Sequence, residues 1–318
     1  MYHVAVVGAG MAGLSCARHL HHAGITVSVF DKGRGPGGRM ASRRIDTPEG
    51  PASFDFGAQY FTVRDADFAE QVQDWLAHGV AAPWPAARAD AFVGVPAMNS
   101  ILRHLAAPHE VTFSALVHGL KRHGRRWELL CDGQHDRHYD SVVLALPAEQ
   151  TAPILTLHDF DLAQTALFAR SQPSWTGMFA FAQPLAHATG VIRDTAMIAW
   201  AARDNAKPGR SGPESWVVQA TPQWSLAHLE HRPETIGPHL LQALAVETGG
   251  ALPALIGQSI HRWRYGLSAG TGSGSLWNPE IALGACGDWL IGPRIECAWL
   301  SGRHLAERII GTLSQFAR

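Results

Sequence analysis

The apolar positions of the first thirty residues fall into three blocks. Val4 to Val7 is an unbroken apolar run rich in valine, as in a parallel strand covered on both faces. Leu14, Ala17 and Leu20 follow at helical spacing, and Gly24 supplies the stop. Thr26 to Phe30 is a second strand, so the order predicts a parallel βαβ unit. Val142 to Leu146 repeats the buried-strand pattern ahead of Pro147. Ile281 to Asp288 repeats it before a helix from about Glu296 to Leu313. Between them, residues 111–117, 127–131 and 138–146 read as strands, with a turn opening at Asp132-Gly133, and residues 95–105 take a helical period after Pro96. From about 151 to 275 the character alternates, as in 177–181 and 215–219. This predicts an antiparallel sheet, with helices at 223–231 and 235–248 and loops at 207–213 and 268–274. Trp175, Trp200, Trp216, Trp224 and Trp263 lie in this stretch, as core or as the lining of a lid.

Chemistry enters at the first turn. Gly8-Ala-Gly10-Met11-Ala12-Gly13 joins the first strand to the first helix. Gly8 permits the tight turn, Gly10 lets a pyrophosphate approach the backbone, and Gly13 lets helix and strand pack closely. The helix start at Met11 and Ala12 offers N–H groups and a positive dipole end to phosphate. Asp31 closes the second strand, where a carboxylate accepts both ribose hydroxyls. The unit is a dinucleotide site, with NAD and FAD both open. Lys32 to Met40, through Gly38 and Arg39, is a glycine-rich basic loop, suited to a second approach to the pyrophosphate.

Composition narrows the class. A chain of 318 residues suits two domains. A net charge of -1 leaves no basic surplus for nucleic acid. Cys16, Cys131, Cys286 and Cys297 form no C-x-x-C pair and read as reduced thiols. With neither a leader pattern after Met1 nor an apolar run near the roughly 20 residues that span a bilayer, the expectation is a cytoplasmic protein with no membrane partner. The 18 histidines show no ligand spacing, so no metal is expected, and no G-x-S-x-G points to a serine hydrolase.

The segments GAGMAGL at 8–14, GRGPGGRMASRR at 33–44, DFGAQYFT at 55–62, HRWRYG at 261–266, and GDWL with ECAWLSGRHLAE at 287–307 together resemble the renalase family in its bacterial form, over nearly the full length. The pairing of the glycine turn with the G-G-R element resembles the amine-oxidase-like branch of FAD enzymes, which points to FAD, bound non-covalently. The resemblance implies an α/β fold, a Rossmann-type FAD-binding domain with a second, mostly antiparallel-sheet substrate domain. The first would take residues 1–75, 95–150 and 276–318, and the second 76–94 and 151–275. It places Phe56, Gly57, Ala58 and Gln59 beside the flavin ring and Val117 near the adenine. Gly287 and Asp288 would hold the ribityl chain, and Cys297 and Ala298 would open a helix aimed at the flavin pyrimidine.

The reaction it implies is oxidation of 2-dihydro or 6-dihydro isomers of NAD(P) by hydride transfer to FAD, with O2 reduced to H2O2. Gln59, Tyr60, Arg64, Trp263 and Tyr265 are the candidate pocket for this dihydronicotinamide dinucleotide, with Arg64 toward its phosphate. Isomer, nucleotide type and oligomeric state stay open. The rival is an amine oxidase or desaturase. Amine oxidases of this branch use a lysine near the flavin, whereas Lys207, the only lysine after Lys121, falls in a Pro-Gly loop. A redox-inactive flavin-binding protein is a further alternative.

Overall fold

The computed structural model describes residues 2–132, 137–186 and 189–316. Gly133, expected in a turn, and the chain ends at Met1 and 317–318 lie outside the described residues. The chain forms two compact units. One comprises Met1–Gly38, Leu102–Ser171 and Ser268–Arg318, and the other Arg39–Ile101 and Gln172–Leu267.

The first unit is built on a six-stranded sheet. Its order is Leu276–Asn278, Leu283–Ala285, Ser141–Leu144, His3–Val7, Thr26–Phe30 and Glu110–Thr112. All neighbours are parallel except the Leu276–Asn278 edge. The apolar runs sit at its centre because parallel strands are covered on both faces: Val4, Val6, Val142 and Val143 are fully buried. Helix Met11–His22 packs against helix Ile295–Phe316, so closely that a Cβ on Gly302 would stand 2.1 Å from the Ala12 carbonyl oxygen. The Ser15 hydroxyl donates to the Trp299 carbonyl at 2.7 Å, fixing the pair axially. An antiparallel three-stranded sheet of His138–Tyr139, Arg126–Cys131 and Val117–His123 adds Trp127 and Tyr139 to the core.

Three expected strands are shorter than their apolar runs, each for a local reason. Residues 111–117 split after Thr112, where Ser114 takes φ 56° and donates its N–H to the Gly33 carbonyl. The 138–146 run changes sheets at Asp140, whose carboxylate accepts the His3 N–H at 2.8 Å. The 281–288 strand reaches only from Leu283 to Ala285, since Ala282 sits at φ 54°.

The second unit carries a five-stranded antiparallel sheet ordered Val191–Arg193, Ile198–Arg203, Glu214–Ala220, Ser171–Phe181 and Leu255–Ser268. Period-two alternation gives it two distinct faces. Trp175, Phe179, Trp216 and Val218 pack on one face with Ile236, Leu240 and Leu244 of helix Pro233–Glu247. Met178, Ala180 and Val217 pack on the other with Phe54 and Phe56. Trp175 and Trp216 are therefore core, while Trp263 packs against the second face. The helix expected from Pro96 begins only at Ser100, because Met98 donates its N–H to the Asp55 carboxylate at 2.9 Å and holds the preceding residues in a loop. The mixed α/β fold, a parallel Rossmann-type sheet plus antiparallel sheets, is the one the sequence led us to expect.

Candidate functional site

In the first unit the glycine turn has the geometry its spacing demands. Gly8 takes φ 113°, and a Cβ there would lie 2.4 Å from the Ala145 carbonyl oxygen. A Cβ on Gly13 would lie 1.9 Å from the Gly8 oxygen, so helix and strand are locked by the absence of that carbon. Gly10 differs, since a Cβ there would meet nothing within 4 Å. Gly10 is also the N-cap of helix Met11–His22, and no side chain caps that helix. The first N–H groups of a helix have no partners within it, so Met11, Ala12 and Gly13 present donors and a positive dipole end above an open glycine. That is an anion cradle of the kind that takes a dinucleotide pyrophosphate. Gly38, at φ 49°, places its own missing side chain 3.7 Å from the Gly10 Cα. The second glycine-rich loop therefore does return to the first. Lys32 on that loop is exposed.

Asp31 anchors this region. One carboxylate oxygen accepts the Ala9 N–H at 2.7 Å, and the other accepts the Gly33 N–H at 2.6 Å. Each oxygen keeps a second lone pair, so a ribose diol remains within its chemistry. At the C-terminal side, the Gly287 N–H donates to the Ser301 hydroxyl at 2.9 Å, and that hydroxyl donates to the Gly274 carbonyl. Asp288 is buried beside it, and Cys297 and Ala298 occupy the first turn of helix Ile295–Phe316. Val117, also buried, opens its strand.

In the second unit, the segment from Asp55 to Tyr60 leaves strand Gly50–Asp55 and is fastened residue by residue. The Ala58 N–H donates to the Arg39 carbonyl, and a Cβ on Gly57 would stand 2.0 Å from that same oxygen. The Arg39 guanidinium donates to the Gly266 carbonyl, while Met40 is buried. Trp263 stacks on Phe56 with centroids 5.1 Å apart and donates its indole N–H to the Phe56 carbonyl at 2.9 Å. The Gln219 amide donates to the Gly57 carbonyl at 2.7 Å. Tyr60 leans on Trp200 at 5.1 Å. His261 lies against both Phe56 and Trp263, and burial, with Arg43 adding, pushes its pKa down to about 4. Of the five residues expected to line a pocket, Gln59, Tyr60 and Trp263 belong to this network. Arg64 is exposed and Tyr265 half-buried.

Beneath the segment is a buried cluster of charge that sequence reading did not find. Asp55, Asp204, Lys207 and Arg210 are each almost fully buried as side chains. The Lys207 ammonium lies 2.5 Å from Asp204 and 3.4 Å from Asp55, donates to the Gln59 amide oxygen at 3.1 Å, and faces the Trp84 ring. Arg210 pairs with Asp55 and donates to the Gly94 carbonyl. The Gln59 amide returns a bond to the Asp55 carbonyl. Burial raises the Asp55 pKa, but Lys207, Arg210, the Ser42 hydroxyl and the Met98 N–H outweigh it and hold the group below the usual carboxylate range. Asp204 goes the other way. Burial, reinforced by the charge of Asp55, pushes it up to about 6 against the pull of Lys207 and Arg210. Lys207 is thus no solvated loop lysine. Its charge is committed to two carboxylates and to the residue beside Ala58.

Residues 6–78 match the family described as NAD(P)-binding Rossmann-like domain. A zeta-carotene-forming phytoene desaturase from Myxococcus xanthus is 49% identical over 43 residues, which is 14% of this chain and 8% of the desaturase. Three solved structures match almost end to end. Cyclohexylamine oxidase from Brevibacterium oxydans IH-35A has a TM-score of 0.73 at 13% identity, with 98% of this chain and 99% of that one covered. A protein of Exiguobacterium sp. 255-15, provisionally assigned as a protoporphyrinogen oxidase, gives 0.70 at 14%, covering 97% and 98%. Putrescine oxidase bound to putrescine gives 0.65 at 14%, covering 98% and 99%. The chain has their fold. At these identities the likeness carries architecture alone.

Proposed function

We propose that this chain is an FAD-dependent oxidase that takes hydride from 2-dihydro and 6-dihydro isomers of NAD(P). The balanced reaction joins the dihydro isomer, O2 and one proton, and yields NAD(P)+ and H2O2. FAD, when bound, supplies the hydride acceptor and passes the two electrons to oxygen. The residues present fit it. Gly10 leaves its pyrophosphate room, the uncapped helix start supplies donors, and Asp31 keeps lone pairs for the ribose. Within the first unit, Asp288 and the helix start at Cys297 and Ala298 would hold the ribityl and pyrimidine parts.

The substrate half of this reading rests on Lys207. Amine oxidation consumes a neutral amine, and branch members station a lysine to serve it. Here the only lysine in the second half of the chain is ion-paired to Asp55 and Asp204 and hydrogen-bonded to Gln59. A dihydropyridine needs no such help, because loss of hydride leaves an aromatic pyridinium and no proton leaves carbon. Orientation against the cofactor is then the main demand on the protein.

A second reading, as an amine oxidase or desaturase, is favoured by the desaturase-like segment and by the solved oxidases that share the fold. One experiment separates the two. Anaerobic holoenzyme is mixed with a dihydronicotinamide isomer or with alkylamines, and the flavin absorbance is followed. Bleaching by the dihydronicotinamide is the expected result. Bleaching by amines alone would establish the second reading.

A further inference from the structure

The three-stranded antiparallel sheet of the first unit has one face in the core and one in solvent. Trp127, Leu129 and Tyr139 are buried in the core. Side chains alternate along a strand, so the residues between them point outward. Glu128, on the central strand, opposes His138 on one side and Lys121 on the other. His123 lies two residues beyond Lys121. Directly opposed residues and second neighbours project to the same face, so His123 shares it. Each of the three strands thus contributes one metal-ligating side chain to one outward patch. Spacing along the chain gives no metal motif, because residues 123, 128 and 138 become neighbours only through this pairing.

The three ligand atoms lie within 4.8 Å of one another. His123 Nε2 is 2.6 Å from a Glu128 carboxylate oxygen, and the His123 and His138 rings meet edge to face with centroids 4.9 Å apart. Around a tetrahedral zinc ion with ligands at about 2.0–2.2 Å, neighbouring donor atoms stand about 3.3–3.6 Å apart. Small side-chain rotations reach that spacing without moving a strand. Two imidazoles and one carboxylate are a donor set that zinc accepts, with water in the fourth position. Both histidines are exposed and Glu128 half-buried, so a cation reaches the patch from solvent. The neighbouring positive charges do not close it. Lys121 stands 4.0 Å from the Glu128 carboxylate in an exposed pair of the kind that contributes little. Arg126 is paired with Asp140 at 3.2 Å. The edge strand His138–Tyr139 is held to its neighbour over two residues only, which is where a cross-strand tie adds most.

We infer that His123, Glu128 and His138 form a zinc site that staples the two outer strands of this sheet to the central one. The ion replaces the hydrogen bond between His123 and Glu128 with a coordination bond to each. It adds a third bond to His138, which that hydrogen bond does not involve. The site uses none of the residues assigned to cofactor or substrate, so it stands whichever substrate the flavin takes.

The test compares holoenzymes of the wild type, His123→Ala, Glu128→Gln, His138→Ala and, as a control, His78→Ala, an exposed histidine beside the Asp74 carboxylate. Each is stripped with a chelator and dialysed at neutral pH against zinc chloride. Bound zinc is counted against flavin, and Tm is recorded with and without the ion. The wild type and His78→Ala should each hold one zinc at this site. Each of the other three should bind it at least about tenfold more weakly, since loss of even an outer-shell partner of a metal costs that much. A ligand that binds only the folded state stabilises it, so zinc should raise the Tm of the wild type and of His78→Ala and leave the three ligand variants where they were. Because the three substitutions are on the surface, retained flavin colour and an unchanged metal-free Tm show that each variant is folded. Zinc held equally by the wild type and the three ligand variants would overturn the site. So would a loss in His78→Ala as large as in His123→Ala, or a wild-type Tm that zinc does not raise.

Discussion

Replacing Asp204 by asparagine is expected to remove the pH dependence of part of this protein's stability. Asp204 is buried against Lys207, Asp55 and Arg210, and its pKa is pushed from 3.8 to about 6. A carboxyl whose folded-state pKa is raised favours the fold while protonated. Its contribution is complete below the unfolded value and is lost as pH rises through about 6. The shift is worth roughly 3 kcal/mol over the whole range, of which a little under half falls between pH 5 and pH 8. Asp55 has its pKa lowered, so its own contribution is lost only at more acid pH and drops out of this window. Urea unfolding of both holoenzymes at pH 5, 6, 7 and 8 isolates the effect, because only the change in their difference with pH matters. The wild type should lose roughly 1 kcal/mol relative to Asp204→Asn as pH climbs from 5 to 8. A flat difference, or one sloping the other way, would refute the reasoning. The opposite slope would mean that the ion pair with Lys207, 2.5 Å away, dominates desolvation and makes Asp204 an ordinary low-pKa partner.

The glycine turn should divide into two kinds of position. Gly13→Ala should fail to fold or lose its colour, given the 1.9 Å approach to the Gly8 oxygen. Gly10→Val should keep its far-UV circular dichroism and lose only FAD, because nothing in the protein lies within 4 Å. Asp31→Ala should weaken FAD binding by about 1.5–3 kcal/mol, read by fluorescence titration, with the rate per loaded site preserved. The limiting rate of flavin reduction by a dihydronicotinamide should be flat from about pH 6 to 9, since no general base is required and His261, held near 4, stays neutral throughout. Stopped-flow rates rising tenfold per pH unit would instead mark oxidation of an amine that must first lose its proton.

The parts of this molecule that could be read from sequence share one property: their physics is local. A buried parallel strand, a turn that only glycine can make and a helix start follow one another within thirty residues, and each narrows the next. Strand ends were less legible, because Ser114 and Ala282 take positive φ for the sake of partners elsewhere in the chain. The charge cluster left no trace at all. Asp55 is separated from Asp204, Lys207 and Arg210 by about 150 residues, and a Lys-Pro-Gly-Arg run looks in sequence like any solvated loop. Cross-strand pairing in the five-stranded sheet is equally silent, since register determines it. So is an exposed trio of His123, Glu128 and His138, which antiparallel pairing gathers onto one small sheet.

The buried cluster also bears on why the 55–60 segment can be both polar and rigid. An irregular segment of this kind cannot rely on a strand ladder, because its own N–H and C=O groups point in several directions. Here each is met separately: the Asp55 carbonyl by Gln59, the Phe56 carbonyl by Trp263, the Gly57 carbonyl by Gln219 and the Ala58 N–H by Arg39. Gln59 in turn is oriented by Lys207, whose charge is balanced by Asp55 at the start of the same segment. The Lys207 ammonium thereby has two carboxylates and an amide oxygen as partners. It leaves a segment that is held in place from behind. On the proposed reading, that rigidity serves a reaction limited by how the donor carbon is aimed.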